Sequence, residues 1–142
     1  MQALVLPVGS DLFAVPTQYV REVVASPRPT PLPTGPATLL GVFNLRGEIV
    51  PFFDTAALLE LGHIARLDYG AVVKTALGPA GLVTTAIPQV TILGDRIGST
   101  ELAASAGSYA LGTSIVVLLD VEALFNPVRV AGSSASPLLT VR

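Results

Sequence analysis

The sequence predicts a mainly β fold made from two copies of one β-rich unit, and three observations lead to this prediction. The 142 residues include 13 glycines and 12 prolines, a share that favours short strands joined by turns. Helical periodicity is confined to three short segments. Two strand–Asp–helix segments repeat at an offset of 66 residues. We therefore expect a single domain over residues 1–130, with approximate halves 1–65 and 66–130, followed by a C-terminal tail over 131–142.

Three β-hairpins are predicted from β-prone runs that flank turn residues. Their turns are expected at Gly9-Ser10-Asp11, at Arg46-Gly47 and at Gly78-Pro79-Ala80-Gly81. Pro51 falls inside one strand, so we expect it at a sheet edge or a bulge, because proline cannot donate a ladder hydrogen bond. The paired runs are residues 3–8 with 12–15, 42–45 with 48–53, and 71–77 with 82–87.

A capping Thr or Asp followed by apolar residues at helical spacing predicts three short helices. The segment 27–36 contains five prolines and predicts a stiff, extended connector. The helices are expected after Thr17, with Val20, Val23 and Val24 on one face, after Asp54 over residues 55–61, and after Asp120 over residues 121–125.

The internal duplication pairs residues 49–59 with residues 115–125, so that Asp54 corresponds to Asp120. A unit of this size is marginal alone, since a chain of about 60 residues buries only about 60% of its surface on folding. We therefore expect the two copies to pack on each other and to leave a binding groove between them. Upstream, Ala14, Val15, Val20 and Val23 correspond to Gly81, Leu82, Ile87 and Val90 at an offset of 67 residues.

The composition points to a protein that binds other proteins. Hydrophobic residues make up 51% of the chain and charged residues only 13%, so part of the exterior is expected to be apolar and covered by a partner. No apolar run approaches the 18 or so residues of a membrane span, and no signal peptide is recognised, which favours a cytoplasmic location. The scattered basic residues and a pI of about 5.2 argue against nucleic acid.

The residues offer little material for catalysis or for cofactors. Phe53-Asp54-Thr55-Ala56 resembles the Asp-Thr-Gly/Ala signature of aspartic proteases, but the apolar residues after Asp54 favour a helix cap, and Asp120 lacks the following hydroxyl. His63 is the single histidine and there is no cysteine, so neither a metal site nor a His-based relay is predicted. Arg46 stands apart, because it occupies a hairpin tip in a chain that uses charge sparingly.

Several motifs together resemble the CheW family of chemotaxis coupling proteins, over about residues 2–127. The most specific string is Asn44-Leu45-Arg46-Gly47-Glu48-Ile49-Val50-Pro51. The remaining matches are Phe13-Ala14-Val15-Pro16, Val20-Arg21-Glu22-Val23, Thr30-Pro31-Leu32-Pro33, and Val116-Val117-Leu118-Leu119-Asp120. The chain departs from the family at Thr84-Thr85, where Val-Asp is usual.

This resemblance implies two pseudo-symmetric, five-stranded SH3-like β-barrel subdomains with short helices. It also implies a cytoplasmic adaptor without catalytic activity or cofactor, which joins the cytoplasmic tips of chemoreceptors to the regulatory domain of a CheA-type histidine kinase in arrays at the inner membrane. Carried over by motif, the receptor-binding residues are Val20, Glu22, Asn44, Leu45 and Arg46, and the kinase-binding residues are Ile87 and Val90.

Two other functions are weighed against this one. An aspartic-protease-like hydrolase would use Asp54, and Asp54→Asn would then abolish peptide cleavage. A stand-alone SH3-like module would bind peptides through clustered aromatic side chains, whereas Tyr19, Tyr69 and Tyr109 are far apart in the sequence.

Overall fold

The computed structural model describes residues 1–132 and consists mainly of two β-sheets. Residues 1–132 contain eleven strands, three one-turn helices and a single 3-10 turn at Thr17–Tyr19. The strands are β1 (Gln2–Val8), β2 (Asp11–Pro16), β3 (Val20–Ala25), β4 (Leu39–Leu45), β5 (Glu48–Phe53), β6 (Tyr69–Thr75), β7 (Gly78–Thr84), β8 (Gln89–Ile92), β9 (Arg96–Gly98), β10 (Ser105–Leu111) and β11 (Ser114–Leu119). The helices are α1 (Thr55–Leu58), α2 (Val121–Leu124) and α3 (Pro127–Ala131).

The two sheets have matching strand orders. The five-stranded sheet runs β3-β6-β7-β5-β4, and the six-stranded sheet runs β8-β1-β2-β11-β10-β9. Under the sequence offsets of 66 and 67, the first five strands of each sheet correspond one to one, and β9 is an addition. The prediction of a mainly β fold with two pseudo-symmetric units is confirmed.

Each sheet takes strands from both sequence repeats. The β5 strand of the first repeat pairs in parallel with β7 of the second, through Phe52 opposite Gly81. At the equivalent place β11 of the second repeat pairs in parallel with β2 of the first, through Leu118 opposite Ala14. The boundary at residue 65 therefore separates the sequence repeats but does not separate the sheets.

Three apolar clusters form the core, and one of them joins the two sheets. The largest lies between them and combines buried residues of both sheets, such as Leu6 and Val15 with Val73 and Leu82; we call it the inter-sheet core. A second cluster, around Val116, belongs to the six-stranded sheet. The third is built around the other face of the five-stranded sheet, and its members are Leu45, Val50, Phe52, Val72 and Val83. Burial on both faces explains why so many strand residues are apolar.

The helix predicted after Thr17 is wrong. Only the 3-10 turn forms there, and residues 20–25 continue as β3, where half-buried and exposed residues alternate. Val20, Val23 and Val24 are β-branched, and such side chains favour a pleated surface over a helix. Along β3, Val20 and Val24 are half-buried and Val23 is exposed, so the three valines do not share one face; a bulge lies between Val20 and Glu22.

The third hairpin forms, but its turn lies two residues earlier in the chain than predicted. The chain reverses at Ala76-Leu77, with Thr75 opposite Gly78, and Gly78–Thr84 is already strand. The Thr75 hydroxyl donates to the Gly78 carbonyl at 2.7 Å and accepts from the Leu77 N–H at 3.1 Å. A hydroxyl therefore stabilises this turn, while the glycine and proline lie within β7.

The C-terminal end also differs from the prediction. A third helix that the sequence did not predict follows α2, and the Asn126 side chain caps this helix, α3, by accepting from the Arg129 N–H at 2.9 Å. Pro127 suits the first position of this helix because its missing N–H is not needed there. Ala131 closes α3, and residues 133–142 of the predicted tail lie outside the described part of the chain.

Pro51 lies in β5, which is an interior strand of the five-stranded sheet. Its antiparallel partner is Val42, and the parallel pairing with β7 begins only at Phe52. Proline is therefore tolerated because β5 has a partner on one side only at this position.

Candidate functional site: two pseudo-equivalent sheet edges

The turn between β4 and β5 places Arg46 in an unusual backbone conformation. Arg46 has a φ of 52° and Gly47 a φ of 90°, which fits the type I′ turn that a two-residue hairpin loop prefers. The Asn44 side chain accepts from the Gly47 N–H at 2.8 Å and fixes the turn. Positive φ is uncommon for arginine, and such outliers concentrate at functional positions.

Arg46 forms a bidentate ion pair with Glu22. Its two terminal nitrogens lie 2.9 and 2.6 Å from the two carboxylate oxygens of Glu22. Glu22 belongs to β3, at one edge of the five-stranded sheet, whereas Arg46 follows β4 at the opposite edge. The ion pair therefore joins the two edges of this sheet, and its planar geometry is one that only arginine supplies.

A second ion pair extends this contact into a network of four charges. Arg21 lies 2.7 Å from a carboxylate oxygen of Glu48 and 3.4 Å from one of Glu22. The hydrogen bond from Arg46 holds the pKa of Glu22 below its ordinary value, and the same bond raises the pKa of Arg46. The edge network, by which we mean Arg21, Glu22, Arg46 and Glu48, thus combines two positive and two negative charges that neutralise one another.

The five residues assigned to receptor binding have different surroundings. Glu22 and Arg46 contact each other, and Asn44 is exposed with its side chain engaged in the turn. Val20 is half-buried at the sheet edge and packs against the inter-sheet core. Leu45 is 7% exposed and belongs to the core of the five-stranded sheet, so its buried side chain anchors the turn to that core.

Sequence reasoning missed Arg21 and Glu48 as members of this network. The available signal was charge sign: Arg-Glu at positions 21–22 is complementary to Arg-x-Glu at positions 46–48. Their pairing across the sheet could not be inferred while residues 20–24 were interpreted as a helix, because a helix would not have placed Arg21 and Glu22 along the edge of a sheet.

The β8 edge is the pseudo-equivalent of the β3 edge and has a different surface. Ile87 and Val90, which the offset of 67 matches to Val20 and Val23, are 51% and 57% exposed. Val90 lies opposite Leu4 of the inter-sheet core, and Ile92, which sequence reasoning did not single out, is 66% exposed. Next to them a shallow groove of about 260 Å³ is lined by Ile87, Leu12 and Leu111.

The charges of the β3 edge have no charged counterparts at the β8 edge. The offsets match Arg21, Glu22, Arg46 and Glu48 to Pro88, Gln89, Gly112 and Ser114. One backbone framework therefore presents two edges, of which one carries a neutral ionic network and the other is apolar.

Asp54 is a structural residue in this fold. Its carboxylate, 3% exposed, accepts from the Ala57 N–H at 3.0 Å and from the Ile64 N–H at 3.1 Å, and lies 3.2 Å from Nδ1 of His63. The predicted helix caps at Asp54 and Asp120 are confirmed, although α1 ends at Leu58 instead of residue 61. Because Asp120 is exposed and bonds only through its cap among the described residues, the two carboxylates do not have matching environments.

The three tyrosines do not form one aromatic groove. Tyr69 belongs to the five-stranded sheet and Tyr109 to the six-stranded sheet, while Tyr19 lies in the 3-10 turn. Within residues 1–132, no helix is long and apolar enough to cross a membrane.

Comparisons with known proteins agree with this architecture. A CheW-like domain matches residues 2–129. A chemotaxis protein CheW of Rhizobium meliloti is 28% identical over 130 residues, which cover 83% of each chain. A probable chemotaxis protein CheW of Rhizobium etli is 27% identical over 129 residues, covering 84% of this chain and 83% of that protein. The protein FrzA of Myxococcus xanthus is 34% identical over 89 residues, covering 63% of this chain and 54% of FrzA.

The fold itself has a solved counterpart. The crystal structure of the scaffolding protein TtCheW from Thermoanaerobacter tengcongensis superposes with a TM-score of 0.76 at 22% identity, covering 88% of this chain and 92% of that one. The resemblance that the Asn44–Pro51 string indicated is thereby confirmed, and the match over residues 2–129 shows that the chain belongs to the CheW-like domain family.

Proposed function

We propose that this protein is a non-catalytic adaptor that couples the cytoplasmic tips of chemoreceptors to a CheA-type histidine kinase, in arrays at the inner membrane. The observation that carries the proposal is the chemical difference between the two pseudo-equivalent edges. An adaptor must hold two unlike partners at once, and a duplicated fold supplies two edges of one geometry. Divergence of their side chains then directs each partner to its own edge.

The receptor tip binds at the β3 edge, through Val20, Glu22, Asn44 and Arg46, with Leu45 holding the turn. The left-handed backbone of Arg46 supports this assignment, because glycine or asparagine would form the same turn with less strain. Arg46 remains 65% exposed although it is paired, so its guanidinium is available to a partner. A neutral, pre-formed network favours a defined binding orientation over long-range attraction.

The kinase regulatory domain binds at the β8 edge, through Ile87 and Val90. Three of the exposed aliphatic side chains, those of Ile87, Val90 and Ile92, follow one another along this edge, and solvent-exposed groups of this kind mark protein interfaces. A partner that covers them accounts for part of the apolar excess of the composition.

Reconstitution with receptor fragments and kinase tests both assignments. Arg46→Glu is expected to weaken receptor binding at least tenfold, because it reverses a charge at the interface and breaks the pair with Glu22. Its matched control is Arg66→Glu, since Arg66 is also about two-thirds exposed and paired to an aspartate, at 2.7 Å from Asp68. For the kinase, the binding affinity of the Val90→Asp variant is compared with that of Ile97→Asp. The control residue Ile97 lies on β9 and its side chain is 56% exposed.

A charge swap distinguishes contact from scaffolding. The double variant Glu22→Arg/Arg46→Glu restores an intramolecular ion pair, so recovered stability without recovered binding supports direct contact of these residues with the receptor. The proposal fails if Arg46→Glu and Arg66→Glu bind receptor equally, or if the protein neither assembles a complex nor changes autophosphorylation of the kinase.

A further inference from the structure

A third surface lies at the junction of the sheets and shares one lining residue, Leu12, with the groove next to the β8 edge. It is a groove of about 500 Å³ where the β1–β2 hairpin meets the start of β11. Most of its lining is apolar, with Ser10, Asp11 and Ser114 as the polar residues, and Leu61 and Ile115 remain 50% and 60% exposed there. The apolar side chains that line it are Leu12, Phe13, Leu61, Leu102, Ile115 and Val117.

The pseudo-symmetry gives this groove an internal counterpart. The sequence offsets match Leu12, Phe13 and Val117 to Pro79, Ala80 and Pro51, which line a cavity of only about 110 Å³. That cavity is smaller because helix α3 covers it: Val130 enters its lining and packs on the inter-sheet core. The Thr38 hydroxyl donates to the Val130 carbonyl, and Arg129 donates to the Leu58 carbonyl at 2.8 Å.

Within residues 1–132, no helix covers the open groove in the same way. The chain that follows α1 occupies the place equivalent to α3 in the sequence, but it forms no helix, because the Asp54 carboxylate binds the Ile64 N–H and holds this segment at the start of α1. Leu61 therefore lines the open groove with half of its surface exposed, and the space equivalent to the one that Val130 fills beneath α3 stays open.

The one charged side chain among the residues that line the open groove is acidic, that of Asp11. Glu101 is the chain neighbour of the lining residue Leu102, whereas Glu60, next to Leu61, lies 3.5 Å from Arg129 and lines a different pocket. Among the lining residues and their immediate chain neighbours, all of which lie in the described part of the chain, none is basic. A positively charged partner is therefore complementary to this site.

We propose that the groove bounded by Phe13, Leu61 and Ile115 docks a short amphipathic helix of a partner protein, with aliphatic side chains on one face and basic residues beside them. Such a helix would repeat what α3 does at the pseudo-equivalent site, where an aliphatic Val130 and a basic Arg129 stand next to each other. This surface contains none of the residues assigned above to the receptor or the kinase, and it does not depend on the function proposed for them.

The test uses the isotope-labelled full chain and a cross-linked helical peptide of about 15 residues, with Leu on one face and Lys beside it, because shorter unrestrained helices are marginal in water. An acidic peptide with Glu in place of Lys is the charge control. Binding is followed by backbone amide chemical shifts. We expect the basic peptide to shift the amides of Phe13, Ile115 and Val117, and to bind more tightly than the acidic one.

Variants of exposed residues locate the site. Ile115→Ser is expected to weaken binding of the basic peptide about tenfold, since the substitution removes one aliphatic side chain that the complex would bury. Ile97→Ser removes a similarly exposed isoleucine from β9 and should leave binding unchanged. Asp11→Lys should reverse the preference between the basic and acidic peptides.

The proposal is overturned if the two peptides bind equally, if the shifts map to the β3 or β8 edge, or if Ile97→Ser weakens binding as much as Ile115→Ser. It is also overturned if the groove amides shift with protein concentration alone, because a second copy of the chain would then be the occupant.

Discussion

The two capping aspartates offer an internal comparison, because Asp54 and Asp120 occupy equivalent places in the duplicated fold. Each begins a one-turn helix and accepts from the backbone N–H three residues later, at 3.0 and 3.2 Å. They differ in burial and in additional bonds, since Asp54 also binds the Ile64 N–H through both oxygens at 3.1 Å. Replacing each by alanine measures what those additional bonds contribute to the free energy of unfolding.

The magnitudes follow from the bonds that each substitution removes. Asp120→Ala loses a helix cap, which costs about 1 kcal/mol. Asp54→Ala loses the same cap and also leaves the Ile64 N–H without its ionised acceptor, which adds about 1.5–3 kcal/mol. The His63 ring is 75% exposed, so its contact with Asp54 adds little. We therefore expect Asp54→Ala to cost about 2.5–4 kcal/mol in total.

Urea unfolding of the three proteins measures these differences, provided that the slope with denaturant is unchanged. Asp54→Asn is a useful third variant, because it keeps one acceptor oxygen and should fall between wild type and Asp54→Ala. Equal destabilisation by Asp54→Ala and Asp120→Ala would refute the reasoning. A peptidase activity that disappears in Asp54→Asn at unchanged stability would instead support the hydrolase.

Three further predictions concern the β4–β5 turn, the packing around Phe52 and the Glu22 carboxylate. Arg46→Gly removes the positive-φ strain together with the pair to Glu22, so the unfolding midpoint should not fall, while receptor binding should be lost in the reconstituted complex. Gly81→Ala places a Cβ 2.6 Å from the Phe52 ring and should cost about 1–3 kcal/mol by urea unfolding, whereas Gly98→Ala, with open space around it, should cost nothing measurable. Because Arg46 lowers the pKa of Glu22, the stability advantage of wild type over Glu22→Gln should be constant above the ordinary value of 4.5 and should shrink as the pH falls below it; an advantage that grows in acid would contradict the pairing.

Sequence patterns identified the repeats and the caps because both depend on local chemistry. An Asp followed by an apolar helical turn caps a helix wherever it occurs, so both helix starts were predicted. The β4–β5 turn was also predictable, since Arg46-Gly47 interrupts two β-prone runs. The helix expected after Thr17 failed because the spacing of its valines also fits an edge strand, in which Val20 and Val24 are half-buried and Val23 is exposed. The choice between helix and strand is decided only by the pairing with β6, which begins at Tyr69.

The edge network and the groove needed tertiary information. Arg21 and Glu48 are separated by 27 positions. Arg21 lies on the edge strand β3 and Glu48 begins β5, next to the other edge strand β4, so they touch only because the folded sheet brings its two edges together. The difference between the open groove and the cavity beneath α3 likewise depends on where the chain after each helix goes. After α1, the hydrogen bond from the Ile64 N–H to Asp54 fixes the path of the chain and leaves the groove open. After α2, the Asn126 cap starts α3, which covers the equivalent cavity.

The exchange of strands between the repeats has a consequence for folding. Since β5 pairs with β7 and β11 pairs with β2, a fragment of residues 1–65 contains three strands of one sheet and two of the other, and cannot complete either. We expect fragments 1–65 and 66–132 to be unfolded separately and to form a native-like complex when mixed, because the break falls at exposed Ala65 and Arg66. Circular dichroism and amide exchange of each fragment and of the mixture measure this. Independent cooperative folding of either fragment would show that the inter-sheet core is not required, contrary to the burial of Leu6, Val15, Val73 and Leu82 in one shared cluster.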